Sequence, residues 1–237
     1  MGHILTFVIL FLVSMMVPCI SNPVSFYKLS LQWPPSACSS GKMKCPNPLP
    51  PPYNQMLTIH GIWPQDVNDE PLDPYDPLHP CTPVPPPDRK NLRTLLKPIY
   101  QQLNTYWPDL KNPLDTFANE IFWGHEWDFH GKCSDYPTDP LKYFDSAVKI
   151  RVGLPDFGLK SGDKKTAGQV ITLVSGFVHA TPEIACNRNI TTRVIQLWEI
   201  RLCYGRPSPQ GLIQHIRDCP SKFTGSCKNA QNTVTIP

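Results

Sequence analysis

The chain has 237 residues, with 22 Lys and Arg against 19 Asp and Glu, which leaves a formal charge of +3. That length holds one domain with a substantial core. So small a net charge does not by itself assign a polyanionic partner. No stretch beyond the N-terminus is apolar enough to span a bilayer, and no internal repeat occurs, so a membrane bundle and a solenoid are both excluded.

The chain opens with an apolar run from Ile4 to Val17, broken only by Thr6 and Ser14, and carries no charged side chain before Lys28. That run is short for a membrane span, and Cys19 and Ser21 suit the small-residue positions before a cleavage site. Residues 1–21 therefore read as a secretory signal peptide, with an N-terminal anchor as the competing reading. Secretion and an extracellular location follow from it. Phe26 to Trp33 alternates apolar and polar, as a half-buried strand does. Sixteen of the 29 prolines then fall between Pro34 and Pro87, which predicts mostly loop with short strands. Asp88 is placed to cap a helix through Leu92, Leu95, Leu96 and Ile99, with Pro98 placed to break it. A second helix is predicted from Asp115 to His130, with Phe117, Ile121 and Trp127 among its apolar positions, and a third from Asp139 to Val152. Strands are expected again at Val170–Phe177 and Val194–Cys203. Strands and helices segregate along the chain instead of alternating, so the fold class is α+β.

Without Cys19, eight cysteines remain, at 38, 45, 81, 133, 186, 203, 219 and 227. An even number in a secreted chain implies a disulfide framework. Cys38 and Cys45 flank a short turn and are able to close locally, and the last four are able to form a nested pair. No Cys-x-x-Cys occurs, which disfavours a thiolate metal site. Charge is uneven. Five acids and no base lie between Asp66 and Asp76, whereas seven Lys and Arg face only Glu199 and Asp218 between Cys186 and Lys228.

The densest chemistry lies in Gly124-His125-Glu126-Trp127-Asp128-Phe129-His130-Gly131-Lys132-Cys133. A second segment, Leu57-Thr58-Ile59-His60-Gly61-Ile62-Trp63-Pro64, adds another histidine beside a tryptophan. On an α-helix five residues turn through roughly 500°, so His125 and His130 would point about 140° apart, which spoils a zinc-protease arrangement. Glu126 and His130 are four apart and share a face. An unperturbed histidine titrates near 6.5, so one imidazole is able to act neutral while another acts protonated. Metal-free cleavage of RNA has that requirement: a base for the 2′-hydroxyl, an acid for the leaving 5′-oxygen, and donors for the charged phosphorane. His79, His179 and His215 read as ordinary surface or satisfied side chains.

Those two segments resemble the two active-site blocks of the ribonuclease T2 family, and the likeness extends through Leu31-Gln32-Trp33-Pro34-Pro35, Tyr106-Trp107-Pro108 and Leu197-Trp198-Glu199-Ile200-Arg201-Leu202-Cys203. It covers nearly the whole of residues 22–237. The resemblance implies one domain with a central, mainly antiparallel sheet packed by helices, and disulfides Cys38–Cys45, Cys81–Cys133, Cys186–Cys227 and Cys203–Cys219. It implies a monomer that needs no cofactor or metal and acts on single-stranded RNA, leaving 2′,3′-cyclic phosphate ends. Position by position it makes His130 the general base, His60 the general acid, His125 a phosphate contact and Glu126 a transition-state stabiliser. Trp63 and Phe122 resemble base-stacking aromatics. Gln32, with Asp109 and Leu110, resembles a second base site.

Phe129 departs from the pattern, which has lysine there; Lys132, three residues on, is a candidate replacement for the lost cation. Basic balance, the four-cysteine C-terminal part, the Gln65–Pro87 segment and the sequon at Asn189 resemble the plant self-incompatibility S-ribonucleases. In that reading Asn189 carries a glycan and the Gln65–Pro87 loop meets pollen F-box partners. An S-like housekeeping or defence ribonuclease, or a non-catalytic storage or binding relative, is the alternative.

Overall fold

The computed structural model describes residues 24–209 and 211–237. The expected signal peptide, residues 1–21, lies outside them. Strand β1 (Phe26–Gln32) sits between β2 (Thr58–Gln65) and β5 (Ile195–Gly205) and pairs antiparallel with both. Between β2 and β5 come β3 (Lys164–Thr166) and β4 (Glu183–Arg188), and after β5 come β6 (Ile216–Arg217), β7 (Phe223–Gly225) and β8 (Thr233–Thr235). Among the described residues these form one sheet with the main order β2-β1-β5-β4-β7. The pairing is mainly antiparallel; β4 with β7 and β5 with β8 run parallel. Helices α1 (Pro34–Cys38), α2 (Leu92–Leu95), α3 (Tyr100–Tyr106), α4 (Thr116–Glu126), α5 (Pro140–Val152) and α6 (Ala167–Val178) pack around it. The α+β class holds.

Three expected helix starts are present because a short acid caps each one. Asp88 accepts from the Lys90 amide, Asp115 from the Phe117 and Ala118 amides, and Asp139 from the Lys142 amide. Pro98 breaks the first helical stretch, as expected: a 3₁₀ turn spans Lys97–Ile99 before α3 begins. The expected strand at Val170–Phe177 is instead α6. Thr166 and Gln169 form a reciprocal capping box, and Val170, Val174 and Val178 recur every four residues on the buried face. Spacing and cap decide the helix.

Two further expectations change. β1 is not half-buried: all seven residues are buried, because Lys28, Ser30 and Gln32 lie under site residues instead of facing water. Phe117 and Ile121 are not core positions of α4 but are 66% and 57% exposed. The core holds Trp33, Trp107, Trp123 and Trp127 with Tyr143 and Phe144. Disulfides join Cys38–Cys45, Cys81–Cys133, Cys186–Cys227 and Cys203–Cys219, the pairs the resemblance implies.

Candidate active site

His60 stands where β1 and β2 slip register. Ser30 faces Gly61 and Leu31 faces Ile59, so His60 is the extra residue of a β-bulge, a device that re-aims a side chain. A second bulge leaves Trp198 as the extra residue of β5, between Leu197 and Glu199. Beside it, Glu199 lies opposite Gln32 of β1, and its carboxylate meets His60 Nδ1 at 2.6 Å. The Trp107 indole donates to the His60 carbonyl at 2.9 Å and fixes the strand there.

After Glu126 the helix widens. Residues Trp127–Gly131 form a π turn, closed by the Lys132 amide on the Trp127 carbonyl at 3.0 Å. The separation of 140° expected for His125 and His130 assumed a regular α-helix. In a turn closed by i→i+5 bonds, residues five apart come back toward one face. A Cβ on Gly131 would overlap the Trp127 ring, so the close turn needs glycine there. A Cβ on Gly61 would strike both the Trp63 indole and the Glu126 carboxyl, so glycine also lets Glu126 approach β2.

The result is a tight cluster. Trp63 touches His60 edge-on, ring centroids 5.3 Å apart, and His130 at 5.7 Å. Its indole donates to Glu126 at 3.4 Å. His125 is exposed and packs against Phe129 with ring centroids 4.2 Å apart. A cleft of about 390 Å³ is lined by Gln32, His60, Asp109, Leu110, Phe122 and His125, together with Met43, Lys111 and Ile121. Every expected catalytic and substrate-binding residue therefore lies in or beside one cleft; the expected glycan site, Asn189, does not. That residue sits in the exposed turn between β4 and β5, its side-chain oxygen held by the Thr191 and Thr192 amides.

The surroundings drive the two central imidazoles apart. For His130, burial and then the neighbouring His125 and His60 charges push the pKa down to about 4, so it is neutral above mildly acid pH. Burial alone would lower His60 too. The Glu199 carboxylate, by charge and hydrogen bond, outweighs burial and raises it. Glu199 itself is fully buried, yet His60 and Arg201 hold it ionised, with its pKa lowered to about 2. Burial lifts Glu126 to about 7, so its carboxyl is neutral and able to donate below that pH.

Sequence reasoning gave no role to Glu199 or to the ion pairs behind it. Arg201 binds Glu199 at 2.8 Å and Glu183 at 2.9 Å; Glu183 binds Lys28 at 2.6 Å; Lys28 reaches Asp69 at 2.6 Å. This chain runs under the sheet face from the Asp66–Asp76 segment to His60. The signal was present in Glu199-x-Arg201 and Lys28-x-Ser30-x-Gln32, polar residues two apart in strands otherwise apolar. Lys132 does not replace the missing lysine, because its ammonium is bound to Asp128 at 2.8 Å. Among the described residues no group of three His, Cys, Asp or Glu side chains is placed to hold a metal ion.

Residues 24–219 match the model of the ribonuclease T2 family. The chain belongs to that family. It is 27% identical to Ribonuclease S-3 of Pyrus pyrifolia over 94% of this chain and 93% of that one. It is 30% identical to Ribonuclease 1 of Arabidopsis thaliana, over 87% and 85% respectively. A variant of ribonuclease MC1, an enzyme of bitter gourd seeds, crystallised with 5′-GMP, superposes with a TM-score of 0.68 at 25% identity, covering 90% of this chain and 99% of that one. This protein is thus a ribonuclease T2 family endoribonuclease with S-ribonuclease homologues, and RNA is its substrate.

Proposed function

We propose that the enzyme cleaves single-stranded RNA by acid–base transphosphorylation between His130 and His60. Neutral His130 takes the proton of the ribose 2′-hydroxyl, the 2′-oxygen attacks phosphorus, and the P–O5′ bond breaks as His60 donates its proton to the leaving oxygen. The products are a 2′,3′-cyclic phosphate and a free 5′-hydroxyl. The neutral Glu126 carboxyl and the His125 imidazole donate to the phosphorane oxygens, worth most in a site that excludes water. Trp63 and Phe122 stack bases, and Gln32 with Asp109 and Leu110 receives the second base. One observation carries this reading: two imidazoles touching the same tryptophan have their pKa values pushed in opposite directions by their surroundings. The test is an RNA digest analysed for cyclic phosphate ends. His60→Ala and His130→Ala should each abolish them; activity surviving either change refutes the assignment, and loss of wild-type activity with a chelator would point to a metal.

We further propose secretion after removal of residues 1–21, a glycan on Asn189, and a pistil role in self-incompatibility with pollen F-box partners. Support for a partner comes from the Gln65–Pro87 segment, which exposes Val67 and Leu78 at 83% and 82% and is tied through Cys81–Cys133 to the chain two residues beyond the π turn. The acids there are not all solvated, since Asp69 is bound to buried Lys28. Expression confined to the style, with high polymorphism of this segment, is the expected result; uniform expression in other tissues would favour the housekeeping or defence role.

A further inference from the structure

Phe117, Ile121, His125 and Phe129 recur every four residues along α4 and its π turn, and none is buried: the two apolar residues of α4 and Phe129 are 66%, 57% and 44% exposed. Isolated exposed apolar residues are ordinary, but an unbroken stripe leading out of an active site is not. On the side of this stripe away from the catalytic cleft lies a second cleft of about 450 Å³, lined by Arg89, Lys90, Arg93, Phe117 and Ile121, with Glu120 the only acid in its wall. Ile121 lines both clefts, so the two share one ridge.

The cations of the second cleft are available. Arg89 and Arg93 are 61% and 75% exposed in their side chains, and each lies 3.4 Å from one acid, Asp128 and Glu120 respectively. Exposed pairs of that length are weak and exchange readily for a phosphate. Lys90 makes no ion pair among the described residues. The Arg89 stem lies across the Gly124 face of α4, in ordinary contact with where a Cβ would stand.

We infer that this ridge and basic cleft form an extended binding site for the RNA chain flanking the scissile bond, with Phe117 stacking a base and Arg89, Lys90 and Arg93 meeting backbone phosphates. This rests on the ribonuclease reading of the neighbouring cleft. Continuity with that cleft favours RNA over an acidic peptide. A charged groove with interleaved aromatics is also how single strands are held without regard to sequence. The second base site at Gln32, Asp109 and Leu110 is a different place, on the other side of Ile121.

The test measures binding, not cleavage, so it does not depend on the acid–base assignment. Probes are a 2′-O-methyl octanucleotide, which has no 2′-hydroxyl to react, and the matching dinucleotide. For the octamer, Phe117→Ala should weaken binding on the order of five-fold or more, the effect of losing one stacking contact. Replacing Arg89, Lys90 and Arg93 with alanine should lower the slope of log affinity against log salt by about 2. Dinucleotide affinity should not change in either variant. Octamer binding equal to wild type in both variants overturns the proposal, and so does an equal loss for both probes. An acidic peptide that binds the ridge without displacing the octamer also overturns it, in favour of protein docking. Failure of the acid–base reading would appear separately, as RNA cleavage surviving His60→Ala.

Discussion

Replacing Glu199 by glutamine removes the negative charge 2.6 Å from His60 Nδ1 while keeping size and hydrogen-bonding capacity. His60 is raised only because that carboxylate outweighs burial, so the substitution should let burial win and lower it. Two unit charges about 4 Å apart interact by about 4 kcal/mol at an effective dielectric near 20. Arg201 shares the carboxylate at 2.8 Å, and the His60 side chain is 30% exposed, so less than half of that reaches the imidazolium. About 1.5 kcal/mol remains, a loss of kcat/KM that approaches roughly ten-fold on the alkaline side of the profile and vanishes on the acid side. The sign is fixed by the role. An acid must be protonated to act, and the Glu199 charge also raises Glu126, so the alkaline limb of the kcat/KM profile, to which both protons contribute, should move to lower pH in Glu199→Gln. The acid limb reports His130 losing its proton and should stay near pH 4. The assay is a pH series on a dinucleoside substrate, with melting curves to confirm folding. An alkaline limb that stays in place, or a loss confined to KM, refutes the assignment of Glu199 as the residue that keeps His60 charged.

Phe129→Lys restores a cation beside His125 at a position with 44% exposure and room to extend, and should raise turnover on the order of ten-fold or more, within the range one electrostatic stabiliser supplies; an unchanged rate counts against this account. Glu126→Gln should stabilise the fold at alkaline pH. A carboxyl lifted from its ordinary 4.5 to about 7 loses stability as pH rises through that interval, so the glutamine protein should gain up to about 3 kcal/mol above pH 7 and nothing below pH 4.5, as read by urea unfolding. Lys28→Ala leaves Glu183 and Asp69 without their shared buried cation and should cost about 3 to 5 kcal/mol of stability; a melting temperature equal to wild type would show that water compensates both acids.

The parts of this site legible in the sequence were those set by local rules. Caps at Asp88, Asp115 and Asp139 are fixed by the residue and its next three neighbours. The groups on one helical turn, such as Glu126 near its histidines, follow from spacing. The parts that were not legible depend on contacts far apart in the chain. Glu199 acts on His60 from 139 residues away, through the register of two strands with β1 between them. The polar face of β1 reads as solvent-facing until Glu183, Glu199 and Arg201 are placed against it. The π turn has no signature beyond Gly131, although it decides where His130 points. Phe117 and Ile121 satisfied a helical pattern whose apolar face, at that end of α4, has no core to meet.

Phe129 acts on the division of labour in the site more than on its kind of chemistry. A lysine there would add a third positive neighbour to a buried imidazole already lowered to about 4 by burial and two histidines, depressing the base further. A weaker base is neutral over a wider pH range but takes a proton less readily. In the proposed mechanism, phenylalanine leaves His130 more of its basicity, and the phosphorane depends on His125 and on Glu126 remaining protonated. The lysine's charge would persist at any working pH, whereas Glu126 gives up its proton near 7. The proposed mechanism therefore predicts full activity only under acid and neutral conditions, checked by a pH series of RNA cleavage. Phe129 also leaves an aromatic face on the ridge, where a base or a partner is able to pack against it.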